Sequence, residues 1–271
     1  MKKCLLTLFC ILPAIGLYAQ KIEVTVQANS GLFKYSGQSA TNSSYLNQTP
    51  DGKTNYTNNP YGNENALSYG FSVQTQLVLK SGFLFGLQAG YDVLRSKVNL
   101  TGIYIYNYQY YYFLPFTSAV AYYTPPPTGN GTGATYLQDQ FINLSPYIGY
   151  RLHIKNVSLD VLPGMDIGLN ISSYDKGKLT ITDEFNYAGP PPLFTSVMVN
   201  KGAVYQTDYK LPDAPKDIRL KLGLAATYKR FGITASYARG LTNYEKNMDS
   251  DGNNYNAESR LFRFGINYRI F

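Results

Sequence analysis

The sequence predicts an eight-stranded, antiparallel, up-and-down transmembrane β-barrel, and three observations lead to this fold class. Eight segments alternate apolar and polar residues over roughly 10 to 13 positions, against five or six in typical soluble strands and about 9 to 11 in membrane-crossing strands. The connections between these segments alternate strictly between short and long. The first 19 residues have the pattern of an export signal.

The N-terminal segment combines two lysines, a short apolar stretch and a small final residue, which is typical of a secretory signal peptide. We therefore expect residues 1–19 to be removed and residues 20–271 to form a single barrel domain. Both cysteines lie within the signal, so the exported chain carries none, which favours a bacterial envelope protein over a disulfide-rich secreted module. Without the two lysines the formal net charge of +7 falls to +5. This excess suits contact with anionic lipid or glycolipid and is too small to indicate nucleic acid.

The first half of the chain contains four predicted strands, each with an apolar and a polar face. The second strand, for example, places Phe71 and Val73 on one face and Ser72 and Gln74 on the other. These strands cover residues 22–32, 68–79, 83–93 and 142–152.

The second half repeats the pattern. In the sixth strand Leu220 and Leu222 alternate with Arg219 and Lys221. The four strands of this half cover residues 157–170, 218–228, 233–240 and 262–270.

The connections are expected to give the barrel two different ends. Three are tight turns, at residues 80–82, 153–156 and 229–231, and four are long, at residues 34–67, 95–140, 172–216 and 242–258. Strict alternation places every short turn at one end and every long loop at the other. Outer-membrane barrels have this asymmetry, with periplasmic turns short and extracellular loops long.

Alternation alone does not say which face points outward, and a soluble lipocalin-like barrel with an apolar interior is the alternative. Glycines on the polar face decide for the membrane arrangement, because small residues fit a narrow interior and make a poor soluble exterior. They are Gly86, Gly90, Gly149, Gly164, Gly168, Gly223, Gly240 and Gly265. Tyrosines near the strand ends are expected to form an aromatic girdle: Tyr69, Tyr91, Tyr150, Tyr228, Tyr237 and Tyr268. Pro146 and Pro163 are expected at bulges or at the rim.

Charged residues on the polar face are expected to pair inside the barrel, because an isolated buried charge is costly. The predicted network contains Glu23, Asp92, Arg151, Asp160, Asp166, Arg219, Lys221, Arg263 and Arg269. An ion path is the alternative. A salt-bridged plug is favoured because eight strands enclose only enough room for side chains.

One loop resembles a calcium-binding loop. Asn247, Asp249, Asp251, Gly252 and Glu258 match the spacing D-x-[DN]-x-[DN]-G-x5-E with Asn at the first position. Flanking helices are not expected, and the same residues also simply form turns. Calcium is thus a possible ligand, and no other cofactor is expected.

Catalytic residues are not apparent. The single histidine, His153, falls in a short turn, away from the rim where a barrel hydrolase would need it. We therefore expect the chain not to be an enzyme. Tyr104, Tyr106, Tyr108 and Tyr110 in the second long loop are candidate contacts for an extracellular glycan or protein. Alternatively, they pack on each other over the barrel mouth.

The signal segment, the eight strands and the last strand, residues 261–271, together resemble the small outer-membrane barrels of the OmpA/OmpX type. They are more similar still to the PorT-like outer membrane protein beta-barrel domain family of Bacteroidetes. The resemblance implies a bacterial outer-membrane location and recognition by the barrel-assembly machinery through the last strand. The implied assembly signal is Phe264, Ile266, Tyr268, Ile270 and Phe271. We expect a structural or surface-interaction role; a narrow channel and an accessory part in envelope protein secretion are the alternatives.

Overall fold

A computed structural model describes residues 19–49, 53–105, 111–113, 120–122, 129–187, 197–212, 214–245 and 255–271. All the regular secondary structure of these residues is β-strand. The strands are β1 (Ala19–Ser36), β2 (Ser43–Gln48), β3 (Asn55–Thr57), β4 (Glu64–Leu79), β5 (Phe83–Tyr104), β6 (Tyr111–Phe113), β7 (Val120–Tyr122), β8 (Gly129–Ile154), β9 (Val157–Ile181), β10 (Phe185–Tyr187), β11 (Val197–Val199), β12 (Val204–Lys210), β13 (Asp217–Tyr228), β14 (Phe231–Gly240) and β15 (Glu258–Arg269). The described residues contain no helix that could cross a membrane.

Eight strands form a closed ring. In order around the ring they are β1, β4, β5, β8, β9, β13, β14 and β15, and each is antiparallel to both neighbours. The ring closes where β15 meets β1, in register from Thr25 opposite Arg269 to Ser36 opposite Glu258. These are the eight strands that the alternation predicts. Several are longer than expected at one end, and β8 and β9 have 26 and 25 residues.

The outer wall of the ring is apolar. One representative from each strand, in ring order, is Ile22, Phe71, Phe85, Ile148, Met165, Leu222, Ile233 and Phe264, and all are exposed. We call this wall the belt; it covers residues 22–32, 67–79, 83–91, 142–154, 157–171, 218–228, 231–237 and 262–270. The intervening residues point inward, and Glu23, Asp166 and Arg219 among them are nearly inaccessible. A soluble ring would have the opposite arrangement, because exposed apolar surface of this extent normally contacts another apolar phase.

The two ends of the ring differ as expected. Tight turns join β4 to β5, β8 to β9 and β13 to β14, and we call this side the turn end. Lys155 and Lys229 adopt left-handed backbone conformations in two of these turns (φ 53° and 55°), which a tight antiparallel connection commonly requires. The long connections lie at the opposite side, the loop end.

Pro146 and Pro163 do not lie at bulges or at the rim. Both are in the belt, and the register of β8 against β9 is unchanged from Leu144 opposite Ile167 through Tyr147 opposite Gly164. The ladder between β8 and β9 lacks pairs at both prolines, because proline has no N–H to donate.

At the loop end the long strands continue into a second, smaller assembly of strands. We call it the extension: residues 95–104 of β5, 129–140 of β8 and 172–181 of β9, with β2, β3 and β12. β12 pairs with β9, β2 runs parallel to β5, and β3 pairs with β2. The amide of Asn55 on β3 reaches the backbone oxygen of Gln206 on β12 (2.8 Å), so the six strands surround a common interior. That interior contains the buried carboxylate of Asp175, which accepts from Thr57 and Thr207. It also contains an apolar cluster of Leu46, Leu100, Ile103, Leu179, Ile181 and Val199.

Candidate functional site

The interior of the ring contains a charged layer near the turn end. Arg151 of β8 donates to both oxygens of Glu23 (3.0 and 2.9 Å) and both oxygens of Asp160 (2.7 and 2.8 Å). Arg269 also pairs with Glu23, at 3.1 Å. The two arginines and two carboxylates of this layer balance, and the exposed Lys21 adds a further ion pair to Glu23, at 3.3 Å. Because Arg151 holds Glu23 and Asp160 by two hydrogen bonds each, the layer has the properties of a structural ion-pair cluster.

A second charged layer lies nearer the loop end. Asp166 accepts from Arg219 and Arg263 (both 3.0 Å), and Arg263 also donates to Asp92. Arg219 donates through Nε to Asp217 (2.7 Å). With Lys221 nearby, this layer holds three cations and three carboxylates, so it too is neutral.

An uncharged layer separates the two. Gln76 accepts from Tyr147 Oη and from Gln74 (both 2.9 Å), and its own amide donates to Glu23 (2.8 Å). Lys221 Nζ donates to the amide oxygen of Gln88 at 2.6 Å. The three layers thus form one hydrogen-bonded filling of the ring.

An apolar cap closes the ring above the second charged layer. The sequence pattern missed it, because it assigned the whole interior to polar residues. Arg219 lies beneath the cap, with its guanidinium 5.2 Å from the centroid of the Phe141 ring. The cap consists of Phe33, Tyr35, Leu94, Leu137, Phe141, Ala238, Tyr244, Ala257 and Leu261.

Asp139 is a carboxylate buried in this cap, beyond the belt. It accepts hydrogen bonds from Tyr35 Oη (2.6 Å) and Ser173 Oγ (2.5 Å). Burial raises the pKa of Asp139 to about 6, although the two hydrogen bonds and the charge of Arg219 oppose the shift. Burial also raises the pKa of Tyr35 well above its usual value. This part of the cap therefore contains a weakly acidic carboxyl without a direct basic partner among the described residues.

Little free space remains inside the ring. Two interior cavities of about 30 and 10 Å³ lie beside Lys221 and Arg263. A single water molecule needs about 10 to 15 Å³. The larger space, about 690 Å³, is an open mouth at the turn end, where His153 lies beside Arg151 and Arg269. This mouth ends at the first charged layer.

The structure brings all nine residues of the predicted network into these layers or beside them. Sequence reasoning missed Asp217, which balances the second layer, because it placed the start of that strand one residue later. The inward parity that Asp217 shares with Arg219 and Lys221 could have identified it.

The calcium loop and most of the tyrosine candidates lie outside the described residues. Asn247, Asp249 and Asp251 fall in this category, as do Tyr106, Tyr108 and Tyr110. Glu258 is described: its carboxylate lies 3.7 Å from Arg239. Tyr104 ends β5 in the extension. In the part of the chain that the structure describes, no group of three or more His, Cys, Asp or Glu residues is placed to hold a metal ion.

The residues of the implied assembly signal lie on or just after β15. Phe264 and Ile266 belong to the exposed belt, and Tyr268 follows them on the same face. Ile270 and Phe271 come after the end of the strand and are exposed.

Comparisons with known proteins find no matching family model and no matching curated protein. Among solved structures, the chain is similar to Neisserial surface protein A, with 11% identity, a TM-score of 0.31, and coverage of 92% of this chain and 99% of that one. It is also similar to the outer membrane protease OmpT from Escherichia coli, with 12% identity, a TM-score of 0.33, and coverage of 93% and 97%. The translocator domain of the autotransporter NalP from Neisseria meningitidis gives 10% identity, a TM-score of 0.21, and coverage of 97% and 95%. Likenesses at this level transfer no activity.

The expectation that the chain is not an enzyme is corrected here. One of the similar structures is an outer membrane protease. The expectation rested on a missing histidine set, and other catalytic groups than histidine exist. The position of His153 therefore argues only against a histidine-dependent hydrolase and not against catalysis in general.

Proposed function

We propose that this chain is an integral protein of the bacterial outer membrane: a transmembrane β-barrel whose filled interior serves as an anchor and whose extension meets partners at the cell surface. The observation that carries the proposal is the combination of an apolar outer wall with an interior of paired charges. Lipid contact stabilises the first, and mutual pairing stabilises the second.

The filled interior favours an anchor over a channel. Two neutral charged layers and the apolar cap lie across the ring, and the two interior cavities have room for only a few water molecules. Ions would need to displace groups that already pair with each other, such as Arg151 with Glu23. The open mouth at the turn end does not extend past these layers.

Conductance in planar lipid bilayers tests the anchor role. We expect no stable conductance steps from the purified protein, under conditions in which a porin conducts. Heat-modifiable gel mobility must be recorded on the same sample, because it shows that the barrel is folded. Folded protein with large, stable steps would establish the channel alternative.

The surface-interaction role is supported by the extension, which holds β2, β3 and β12 on an apolar interior of their own. A rigid surface loses little entropy on binding, which favours recognition. Replacing Tyr104, Tyr106, Tyr108 and Tyr110 by Ser tests their part in binding glycans or proteins on whole cells. Unchanged binding by a correctly displayed variant would exclude these tyrosines.

The finer assignment to the PorT-like family of Bacteroidetes, with a part in envelope protein secretion, is a further proposal that rests on the sequence resemblance alone. Recognition of the last strand by the barrel-assembly machinery belongs with it. Deleting the gene and measuring secreted proteins tests the secretion role.

A further inference from the structure

Three basic side chains form one row on the outer wall at the loop end. Lys34 of β1 lies directly opposite Arg260 of β15, and Arg260 lies directly opposite Arg239 of β14. Directly opposed residues in an antiparallel ladder have Cβ atoms about 4.5 to 5.5 Å apart. We call Lys34, Arg239 and Arg260 the basic row.

The row is poorly neutralised by the chain itself. Like charges in directly opposed positions destabilise a sheet. Among the described residues the row makes one ion pair, between Arg239 and Glu258, at 3.7 Å. Arg260 Nε is buried and has no hydrogen-bond partner in that part of the chain. Two net positive charges therefore remain.

Two other lysines beyond the belt are paired with carboxylates. Lys97 pairs with Glu64 at 2.8 Å, and Lys176 pairs with Asp208 at 3.3 Å.

The height of the row relative to the belt is informative. The next outward-facing row toward the turn end is Leu32, Phe262 and Tyr237, again directly opposed on the same three strands and all exposed. Two residues along a strand span about 7 Å. On their own strands the three cations therefore lie about 7 Å beyond this apolar row. On the neighbouring β13, Leu220 of the belt is directly opposite Arg239. The basic row thus borders the loop-end edge of the belt, where a bilayer presents its headgroups.

On the basis of the membrane location proposed above, we propose that the basic row binds the phosphate groups of an anionic glycolipid in the leaflet at the loop end. Two net charges match a headgroup that carries two phosphates. The guanidinium groups of Arg239 and Arg260 provide planar pairs of donors for phosphate oxygens, and Lys34 adds a point charge. The apolar row beneath receives the acyl chains.

The test uses the full chain, folded into phosphatidylcholine nanodiscs that contain lipid A with two phosphates. Native mass spectrometry counts the lipid A molecules that each protein retains. The variant K34Q/R239Q/R260Q is compared with K80Q/K155Q/K229Q, which removes the same charge at the turn end. We expect the wild type and the control to retain lipid A and the basic-row variant to bind at least about tenfold more weakly. Equal retention by both variants would overturn the proposal.

Two further measurements distinguish a lipid site from a site for free phosphate and from neutralisation of the row by a loop. Excess inorganic phosphate is expected to leave lipid A bound; its displacement would show a site for the free anion instead. Asp249 and Asp251 belong to the connection that follows β14 and are outside the described residues. If D249N/D251N retains lipid A and the wild type does not, the loop already neutralises the row and the proposal fails.

Failure of the membrane proposal gives a different result. A chain that never enters nanodiscs and shows no heat-modifiable mobility overturns the proposed function itself. A chain that inserts normally and retains lipid A no better than its basic-row variant overturns only the glycolipid site.

Discussion

At the scale of single residues, Tyr147 shows how the narrow interior is filled. Its directly opposed neighbours are Gly86 on β5 and Gly164 on β9. A Cβ atom on Gly86 would lie 2.1 Å from Tyr147 Cζ, so only glycine lets the ring lie along the wall and reach Gln76. The expected crowding of a small ring is therefore relieved at specific tyrosine–glycine contacts.

Replacing Gly86 by Ala should lower the free energy of unfolding by about 1 to 3 kcal/mol, because Tyr147 must move. Gly223 is the matched control: it also faces inward, yet its added Cβ would meet nothing closer than 3.5 Å. We expect G223A to change stability by less than about 0.5 kcal/mol. Urea unfolding in lipid vesicles, followed by gel mobility, measures both. Equal losses would show that Tyr147 does not depend on Gly86.

Asp139 should make the stability of the cap depend on pH. Its pKa is raised from 3.8 to about 6 in the folded state, so the folded chain binds the proton more tightly than the unfolded chain. Protonation of Asp139 therefore stabilises the folded state. This stabilisation is complete below about pH 4 and is lost as the pH rises through about 6, which lowers the free energy of unfolding by on the order of 2 to 3 kcal/mol. Unfolding of the wild type and D139N at pH 4 and pH 7 measures it.

D139N should show a smaller loss of stability over the same interval. Burial also raises the pKa of Asp175 in the extension, which acts in the same direction. Because Asp175 is present in both proteins, its effect cancels in the difference. An identical pH dependence of the two proteins would assign the effect to other groups.

Alternation with a period of two could identify most interior residues, because side-chain direction follows parity along a strand. Arg151 and Asp160 are examples, each on the polar face of a predicted strand. Phe33 and Leu94 could not be placed in this way. They lie just beyond the predicted strand ends, where the strands continue because of contacts distant in sequence.

At the scale of elements, the extension should respond to mutation separately from the ring. Leu179 is fully buried in the extension, and L179A should cost the extension about 2 to 5 kcal/mol. Lys178, exposed on the opposite face of β9, is the control. We expect protease to cut L179A faster than K178A at the loop end, while both keep the heat-modifiable mobility of the ring. Loss of that mobility in L179A would mean that ring and extension unfold together.

The extension itself was not predictable from local pattern. Residues 34–67 are rich in Asn, Ser, Thr and Gly and read as a loop. β2 within this segment is six residues long and gains its strand form from β5, more than fifty positions away. Such pairing leaves no periodic signal of its own in the sequence.

At the scale of the whole molecule, the orientation of the ring can be read by labelling. The two cysteines occur in the first 19 residues, so a mature chain without them offers a clean background. Lys201 is exposed at the loop end, and Lys229 lies in a turn at the other end. A membrane-impermeant maleimide on intact cells should label K201C and not K229C.

Lysed cells provide the control for that experiment, because both cysteines should then react. Labelling of K229C alone in intact cells would reverse the proposed orientation. Labelling of both at equal rates would show that the protein does not separate two compartments.

The overall architecture was the most predictable property, since eight alternating segments with alternating connections specify neighbours and direction, and the glycines on the polar face indicate which face points outward. The activity was the least predictable, because paired charges such as Arg151 with Glu23 and Asp160 satisfy each other and indicate no particular reaction. Many of the residues that could identify a partner lie in the long connections, where sequence patterns constrain structure least.

The parallel alignment of β2 with β5 has a consequence for the order of assembly. β2 precedes β5 in the chain, yet its binding edge exists only after β5 has been laid against β4 and continued past it. β2 can pair locally with β3, whereas its pairing with β5 needs a distant template and closes a large loop. We therefore expect the extension to mature after the ring, so that a newly inserted protein passes through an interval in which the ring is complete and the extension is not.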